Sequence, residues 1–451
     1  MYNPVDSKID FPRMEEGILK FWKERRIFEK SIESRADAEE FVFYDGPPFA
    51  TGVPHFGHFV PGTVKDIIPR YVTMMGKRVE RRFGWDCHGL PVEYEMEKEL
   101  GISGKREIEK FGAEKFNEAC RSIVLRYTEE WRKIMTRSGR WVDFDHDYKT
   151  MNPSYMESIW WVVKSLWEKG LIYKGHYILP TCPRCSTPLS NHELNLGGYK
   201  DVHDPAITVK FRDTSAENTW FLAWTTTPWT LISNLGLSVG PDIDYVKVES
   251  KGAAYILAEA RLGEYFDGDY SPLWKRKGFE LRDMTYEPIF PYFGNLGNKG
   301  VFRIFVGSHV STEEGTGIVH TAPGFGEDDY EIFKDAGIPI VCPVDDEGRF
   351  TAEIPEYEGQ FVKDCDKEII SRLIRDEKLF KHDQVLHSYP HCWRCESPLI
   401  YKAVDSWFVD IQKIKPVMLA SNDKVNWNPS YLKSGRFGKW LENAKDWAIS
   451  R

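Results

Sequence analysis

Apolar and polar positions change rhythm several times along the chain. Met14, Ile18, Leu19, Trp22, Ile27 and Phe28 follow Phe11-Pro12 among charges at helical spacing, which predicts an amphipathic N-terminal helix packed on a larger core. The short apolar run Phe41-Val42-Phe43-Tyr44 predicts a buried strand, and Gly46, Pro47 and Pro48 then lead to a helix expected from near His55 to about Met75, with Pro69 as a kink. Arg78-Val79-Glu80-Arg81-Arg82-Phe83 reads as a second strand ending in Gly84-Trp85-Asp86-Cys87-His88-Gly89-Leu90-Pro91. Strand, helix and strand in this order predict a parallel sheet with ligand residues at the strand ends. From roughly 103 to 171 the pattern is helical, and Phe116, Tyr127, Trp131, Trp160, Trp161 and Trp167 are expected in the core. The period then shortens to two: Ile207, Val209 and Phe211 alternate with polar residues, as does Tyr245-Val-Lys-Val248, so a β-rich region is expected between about 199 and 388. Ser406-Trp407-Phe408-Val409 reads as a return to the first domain, which closes on Asp446-Trp447-Ala448-Ile449-Ser450-Arg451.

Length and composition narrow the class. A chain of 451 residues suggests two or three domains. No apolar run approaches the roughly 18 to 20 residues of a membrane span, and Met1-Tyr-Asn-Pro-Val-Asp lacks the basic and apolar regions of a secretory signal, so a cytoplasmic protein without membrane contact is expected. A net charge of -9 argues against nonspecific coating of nucleic acid, although a local basic patch can still hold RNA. Eight cysteines are too sparse for a disulfide scaffold. Four of them repeat a pattern: Cys182-Pro-Arg-Cys185-Ser-Thr-Pro-Leu recurs as Cys392-Trp-Arg-Cys395-Glu-Ser-Pro-Leu. Each pair also suits a redox Cys-x-x-Cys or an unrelated turn. The repeated flanks favour two knuckles sharing one tetrahedral site, with zinc (Zn2+) the expected occupant. The chain between the pairs must then leave and return at one place, as an inserted domain does. Cys87, Cys120, Cys342 and Cys365 have no spacing partner and read as packing residues or, for Cys87, as a passenger in an active-site loop.

Candidate chemistry is concentrated in two places. His55-Phe56-Gly57-His58 puts two imidazoles on one face at a helix start, where free N–H groups and the positive dipole end favour phosphate. An isolated His-x-x-His would more often be a cap with surface histidines; the preceding strand, glycines and prolines argue for nucleotide activation. In the β-rich region, Trp224-Thr225-Thr226-Thr227-Pro228-Trp229-Thr230-Leu231-Ile232-Ser233-Asn234 offers a row of hydroxyls, and Gly317-Ile-Val-His320-Thr leads to Asp328-Asp329-Tyr330. Hydroxyls can hold a ribose and a water, and a carboxylate can hold an ammonium. Alone, the threonines suit a strand edge and His320 a structural histidine. No Walker A loop, Gly-x-Gly-x-x-Gly or His-Glu-x-x-His occurs.

With these motifs together, the chain resembles the isoleucyl branch of the class I aminoacyl-tRNA synthetases over essentially its whole length. The resemblance implies an α/β fold: a Rossmann-like nucleotide-binding domain, first half, interrupted by a β-rich editing domain. It implies an N-terminal helix and catalytic half at 1–180, a zinc-knuckle connector at 181–198, the inserted domain at 199–388, and a second knuckle with the return at 389–451. His55, Gly57 and His58 would serve ATP, and Pro47 and Asp86 the isoleucine, with Asp86 accepting from its ammonium. Phe56 replaces the more usual aliphatic residue. A pocket for isoleucine cannot strongly exclude valine, which motivates a second, hydrolytic chamber. There Asp329 would anchor the α-amino group of misattached valine, and His320 would bound its side chain. Thr225, Thr226 and Thr227 would position the terminal adenosine and water, with Thr230 and Asn234 in lesser roles. Asp328 competes with Asp329, which is preferred because it directly precedes the aromatic residue. Implied partners are ATP with magnesium (Mg2+), isoleucine and its tRNA, and a monomer is expected. Isoleucyl enzymes continue into a second nucleotide-fold half, a Lys-Met-Ser-Lys-Ser loop and an anticodon-binding domain that this sequence lacks, so a fragment or split product is expected and adenylation needs more than this stretch. A valyl-type relative and a non-catalytic zinc-stapled tRNA-binding module are the rival readings.

Overall fold

A computed structural model of the protein describes residues 8–49, 52–124, 126–194 and 198–450. The Met1–Asp6 opening, Ala50 and Thr51 of the proline-rich loop, and the closing Arg451 therefore lie outside the described residues. The chain forms two compact units, Met1–Glu168 and Lys169–Arg451. Both helices and sheets are present, so the fold is α/β. No helix among the described residues is long and apolar enough to cross a membrane.

In the first unit, Asp10 starts the helix Phe11–Arg25 by accepting from the Arg13 N–H, with a proline in the first turn and Lys23 and Arg25 in the last. Trp22 meets Trp141 edge to face at 5.4 Å, which seats this helix against the turn before the strand Asp143–Lys149. The helix Phe56–Met74 carries Pro61 and Pro69 in its interior. It is followed by the strand Arg82–Trp85, which runs parallel to Asp143–Lys149 with Gly84 opposite Tyr148. A Cβ on Gly84 would stand 2.2 Å from the Tyr148 ring, so the ladder requires glycine there. Phe83, Trp85, Val92, Met96, Phe116, Val124, Trp131 and Met135 form the buried cluster.

Three expectations fail in this unit. Phe41–Tyr44 is extended but not a buried strand: a parallel bridge joins Glu40 to Arg78, while Val42 and Tyr44 are 61% and 90% exposed. Its side chains alternate in burial, as on a strand covered on one face. The second strand begins at Arg82 rather than Arg78. Before it, buried Arg81 turns to the helix end, donating to Pro69 O and Thr73 Oγ1. The tryptophans of the helix Pro153–Glu168 are not core: Trp160 and Trp161 are 74% and 69% exposed, and Trp167 is exposed too. Trp131 and Phe116 are buried as expected.

The second unit is built on a nine-stranded mixed sheet. Tyr199–Arg212 pairs antiparallel with Leu379–Pro390 on one side and with Thr219–Thr225 on the other. Thr219–Thr225 continues through parallel contact with Ile318–Thr321, which lies antiparallel to Gly236–Val239. The alternation read at 204–211 and 245–248 thus falls in strands Tyr199–Arg212 and Asp244–Ser250. Val209, Phe211, Phe221, Leu237, Tyr245, Ile256, Ile304 and Phe333 belong to the core between this sheet and its covering helices. A smaller sheet pairs Ile172–Cys182 antiparallel with Ile400–Val409, from Ile172 opposite Val409 to Thr181 opposite Ile400.

Candidate functional site

His55 is the N-cap of the helix Phe56–Met74, in extended backbone. Its Nδ1 accepts from the Gly57 N–H at 3.1 Å, and its own N–H donates to His58 Nδ1 at 3.1 Å. Both Nδ1 lone pairs are therefore spent on backbone donors, which leaves each neutral ring its proton on Nε2 as an outward donor. The rings lie 3.8 Å apart between centroids, and a Cβ on Gly57 would press to 2.8 Å from His55. His58 is held below the ordinary imidazole value by burial first, then by His55 and Lys65. Trp131 packs edge-on against His58 at 4.8 Å and against Trp85 at 6.0 Å, and its Nε1–H donates to Gly52 O at 2.7 Å.

Trp85 precedes Asp86, whose N–H donates to Pro48 O at 2.9 Å beside a parallel Phe49–Asp86 bridge. The Pro47-Pro48-Phe49 stretch thus touches the Asp86 segment at one end and leads towards His55 at the other. Burial raises the Asp86 carboxyl, against the opposing pull of His88 and the Thr150 hydroxyl. Sequence reasoning missed the residues that brace this loop. Asp45 takes Arg140 Nη2 at 2.6 Å and pairs with Lys65, and Lys65 also donates to Gly46 O. The position of Asp45 immediately before Gly46-Pro47 was a readable signal; Arg140 and Thr150 gave none.

The second constellation lies wholly in the Lys169–Arg451 unit. Thr225 ends its strand, and a 3-10 helix, Pro228–Ser233, follows the threonine run. His320 sits on the strand Ile318–Thr321, 86 residues after Asn234 in sequence but bonded to it. Asn234 has its amide orientation fixed: Oδ1 accepts from Tyr286 OH at 2.7 Å, and Nδ2 donates to Gly236 O at 2.8 Å and to His320 Nδ1 at 2.8 Å. His320 Nε2–H then faces Thr230 Oγ1 at 3.0 Å, and that hydroxyl donates to Thr227 O at 2.7 Å. Thr227 Oγ1 meets Thr225 Oγ1 at 3.2 Å. Burial alone drives the His320 ring down to about 3, so it is neutral at physiological pH.

Asp329 is the inward member of the Asp328-Asp329 pair; Asp328 is exposed. Its Oδ2 accepts from the Ala322 N–H at 2.8 Å, two residues past His320, and the carboxylate folds over Gly326, where a Cβ would come within 2.6 Å. Burial pushes its carboxyl up to about 6, opposed by the Ala322 N–H and aided by Asp328. The structure therefore brings Thr225, Thr227, Thr230, Asn234 and His320 into one bonded chain. Thr226 is half-buried beside them. Tyr286, which holds Asn234, carried no sequence signal.

The four repeated cysteines also meet. Cys182, Cys185, Cys392 and Cys395 have all sulfurs within 4.8 Å of one another, with Cys395 Sγ 3.4 Å from Cys182 and 3.6 Å from Cys185. A tetrahedral four-thiolate site with metal–sulfur bonds of about 2.3 Å has edges of about 3.8 Å, so this donor set fits a soft divalent ion.

The family tRNA synthetases class I (I, L, M and V) matches residues 17–451. The chain belongs to this class I synthetase family. Among its relatives, an isoleucine--tRNA ligase of Treponema denticola is 61% identical across 100% of this chain and 44% of its own length. One of Treponema pallidum is 55% identical over the same shares, and one of Bdellovibrio bacteriovorus is 52% identical across 100% of this chain and 43% of its own. This synthetase chain thus spans a little under half the length of those relatives. A solved structure titled "The crystal structure of GlLeuRS-CP1" aligns over 40% of this chain and 99% of its own at TM-score 0.30 and 16% identity, too slight a likeness to argue from.

Proposed function

We propose that this chain is the N-terminal portion of an isoleucine–tRNA ligase that joins ATP and isoleucine into isoleucyl-adenylate and pyrophosphate, then transfers the isoleucyl group to its tRNA. The observation that carries this reading is the mutual capping of His55 and His58, which leaves two neutral Nε2–H donors at a helix N-terminus. Such donors stabilise charge that develops on the α-phosphate as pyrophosphate departs. Gly57 keeps the backbone open to the phosphates, and Mg2+ accompanies the ATP. Pro47 and Asp86 receive the amino acid, with Asp86 accepting from its ammonium. The names of the relatives support isoleucine as that amino acid. Pyrophosphate exchange by the full-length polypeptide, comparing isoleucine with valine, tests the assignment; preference for valine would make the protein a valyl-type relative.

A second activity is favoured by the Thr225–His320 bonded chain. In this reading the inserted domain, 199–388, hydrolyses valyl-tRNA. Asp329 takes the α-ammonium, the neutral His320 bounds the side-chain space, and Thr225, Thr226 and Thr227 hold the terminal adenosine and the attacking water. Thr230 and Asn234 fix the His320 ring. Zinc held by Cys182, Cys185, Cys392 and Cys395 staples the 181–198 and 389–451 segments, and the protein works as a cytoplasmic monomer. Deacylation of valyl-tRNA lost on Asp329→Ala supports this; absence of deacylation in the parent would favour the zinc-stapled tRNA-binding module.

A further inference from the structure

Behind the threonine loop lies a buried polar nest that the activities above leave unused. The 3-10 helix Pro228–Ser233 has no side-chain cap of its own. Thr227, at the N-cap position, directs its hydroxyl to Thr225 and Thr230, and Pro228 has no N–H. The first free donor is the Trp229 N–H, and it is taken from far away in the chain: Asp366 Oδ1 accepts it at 2.9 Å. Asp366 is buried in the first turn of the helix Asp366–Arg375, so the carboxylate that caps the Trp229 N–H also lies at that helix's positive end.

Trp229 is the joint between the two halves of the candidate chamber. On one side it is followed by Thr230, which receives His320 Nε2–H. On the other, its indole packs edge-on against Phe325 at 4.9 Å, the residue before Gly326, over which Asp329 folds. A shift of the Trp229 backbone would move both the Thr227–Thr230 turn and the wall beneath Asp329.

We propose that Asp366 is a positioning residue for hydrolysis, holding the Trp229 N–H so that the threonine loop and the Asp329 segment keep their registration. This rests on the editing reading above for its catalytic consequence, though not for its structural one. Charged and titratable groups face Asp366 from each neighbouring element. These are Lys363, Asp364 and Cys365 on the preceding 3-10 turn, Asp204 on the strand Tyr199–Arg212, and Tyr389 on Leu379–Pro390, with His387 beyond them on Asp204. Lys363 and His387 both reach Asp204, at 3.4 and 3.0 Å, so the nearest cation is shared with a second carboxylate. Burial outweighs it and pushes the Asp366 carboxyl up to about 7.

The test compares the full-length protein with Asp366→Ala and Asp366→Asn, by amide hydrogen exchange across 227–233 and by valyl-tRNA deacylation. Asp366→Ala is expected to speed exchange at Trp229 and Thr230 and to lower kcat about tenfold to a hundredfold with KM little changed, as misplacement of a catalytic segment does. Asp366→Asn, whose amide oxygen still accepts, is expected to recover most of both. Exchange in the alanine variant equal to the parent overturns the proposal. A parent that deacylates nothing refutes the editing reading instead, and exchange still decides whether Asp366 holds the loop.

Discussion

Asn234 Nδ2 stands 2.8 Å from His320 Nδ1, and because Asn234 must also donate to Gly236 O and accept from Tyr286, that contact fixes which nitrogen of the ring is protonated. A solvent-free imidazole bonded in this way is a rigid wall with one donor, aimed at Thr230.

The first consequence concerns acid. The folded ring refuses the proton that the unfolded chain takes near 6.5, since its folded value is about 3. Stability from this group is therefore complete above pH 6.5 and lost as pH falls towards 3, each unit of depression being worth about 1.4 kcal/mol. Nitrogen NMR should show His320 as the Nε2–H tautomer throughout the neutral range; a ring that titrates there would contradict the bonded chain.

Asp329 has the opposite sign. Its carboxyl rises from 3.8 to about 6, so the folded protein holds this proton more tightly than the unfolded. Stability is greatest below 3.8 and declines as pH climbs from 3.8 to about 6. An ammonium ligand needs the carboxylate, so deacylation should increase in a window centred on about pH 6. In Asp329→Asn the limb of the pH profile in that window should vanish; its persistence would assign the limb to another group.

Gly84 and Tyr148 give a packing test in the other unit. Gly84→Ala forces a methyl to 2.2 Å from the phenol ring and should cost about 1–3 kcal/mol in urea unfolding. Tyr148→Ala makes room, so the double variant should lose less than the two single losses combined. Strict additivity would mean the ring is not under that glycine.

Metal analysis should find about one zinc per chain. Chelation or Cys395→Ser should lower the melting temperature, because removing the ion leaves crowded thiols at the junction of the Ile172–Cys182 and Ile400–Val409 strands. An unchanged melting curve after complete metal removal would contradict a stapling role.

Legibility from sequence followed the range of the forces involved. Helix Phe56–Met74 was readable because its start, its histidines and its prolines are all local. The cysteine pairs were readable because their flanks repeat, even though they converge across more than two hundred residues. Phe41–Tyr44 misled because an apolar run does not reveal whether one or both faces are covered. Trp160 and Trp161 misled for a similar reason: a bulky aromatic announces that burial would be favourable and says nothing about what is available to cover it. Tyr286, Arg140 and Asp366 act through single long-range hydrogen bonds, which leave no periodic trace. Asp45 was the exception, since its neighbours Gly46 and Pro47 already marked the loop.

Tyr199 and Pro390 face each other as the last rungs of one antiparallel ladder, and the cysteine cluster lies close beyond them in sequence. The segment between them departs and comes home at one place, and it is also tied sideways: the Ala403 N–H donates to Gly324 O at 2.7 Å, and Lys402 Nζ donates to Asp345 O at 2.8 Å. Unzipping the end of the ladder would therefore not free the segment, because these bonds still fasten it to the strand Ile400–Val409.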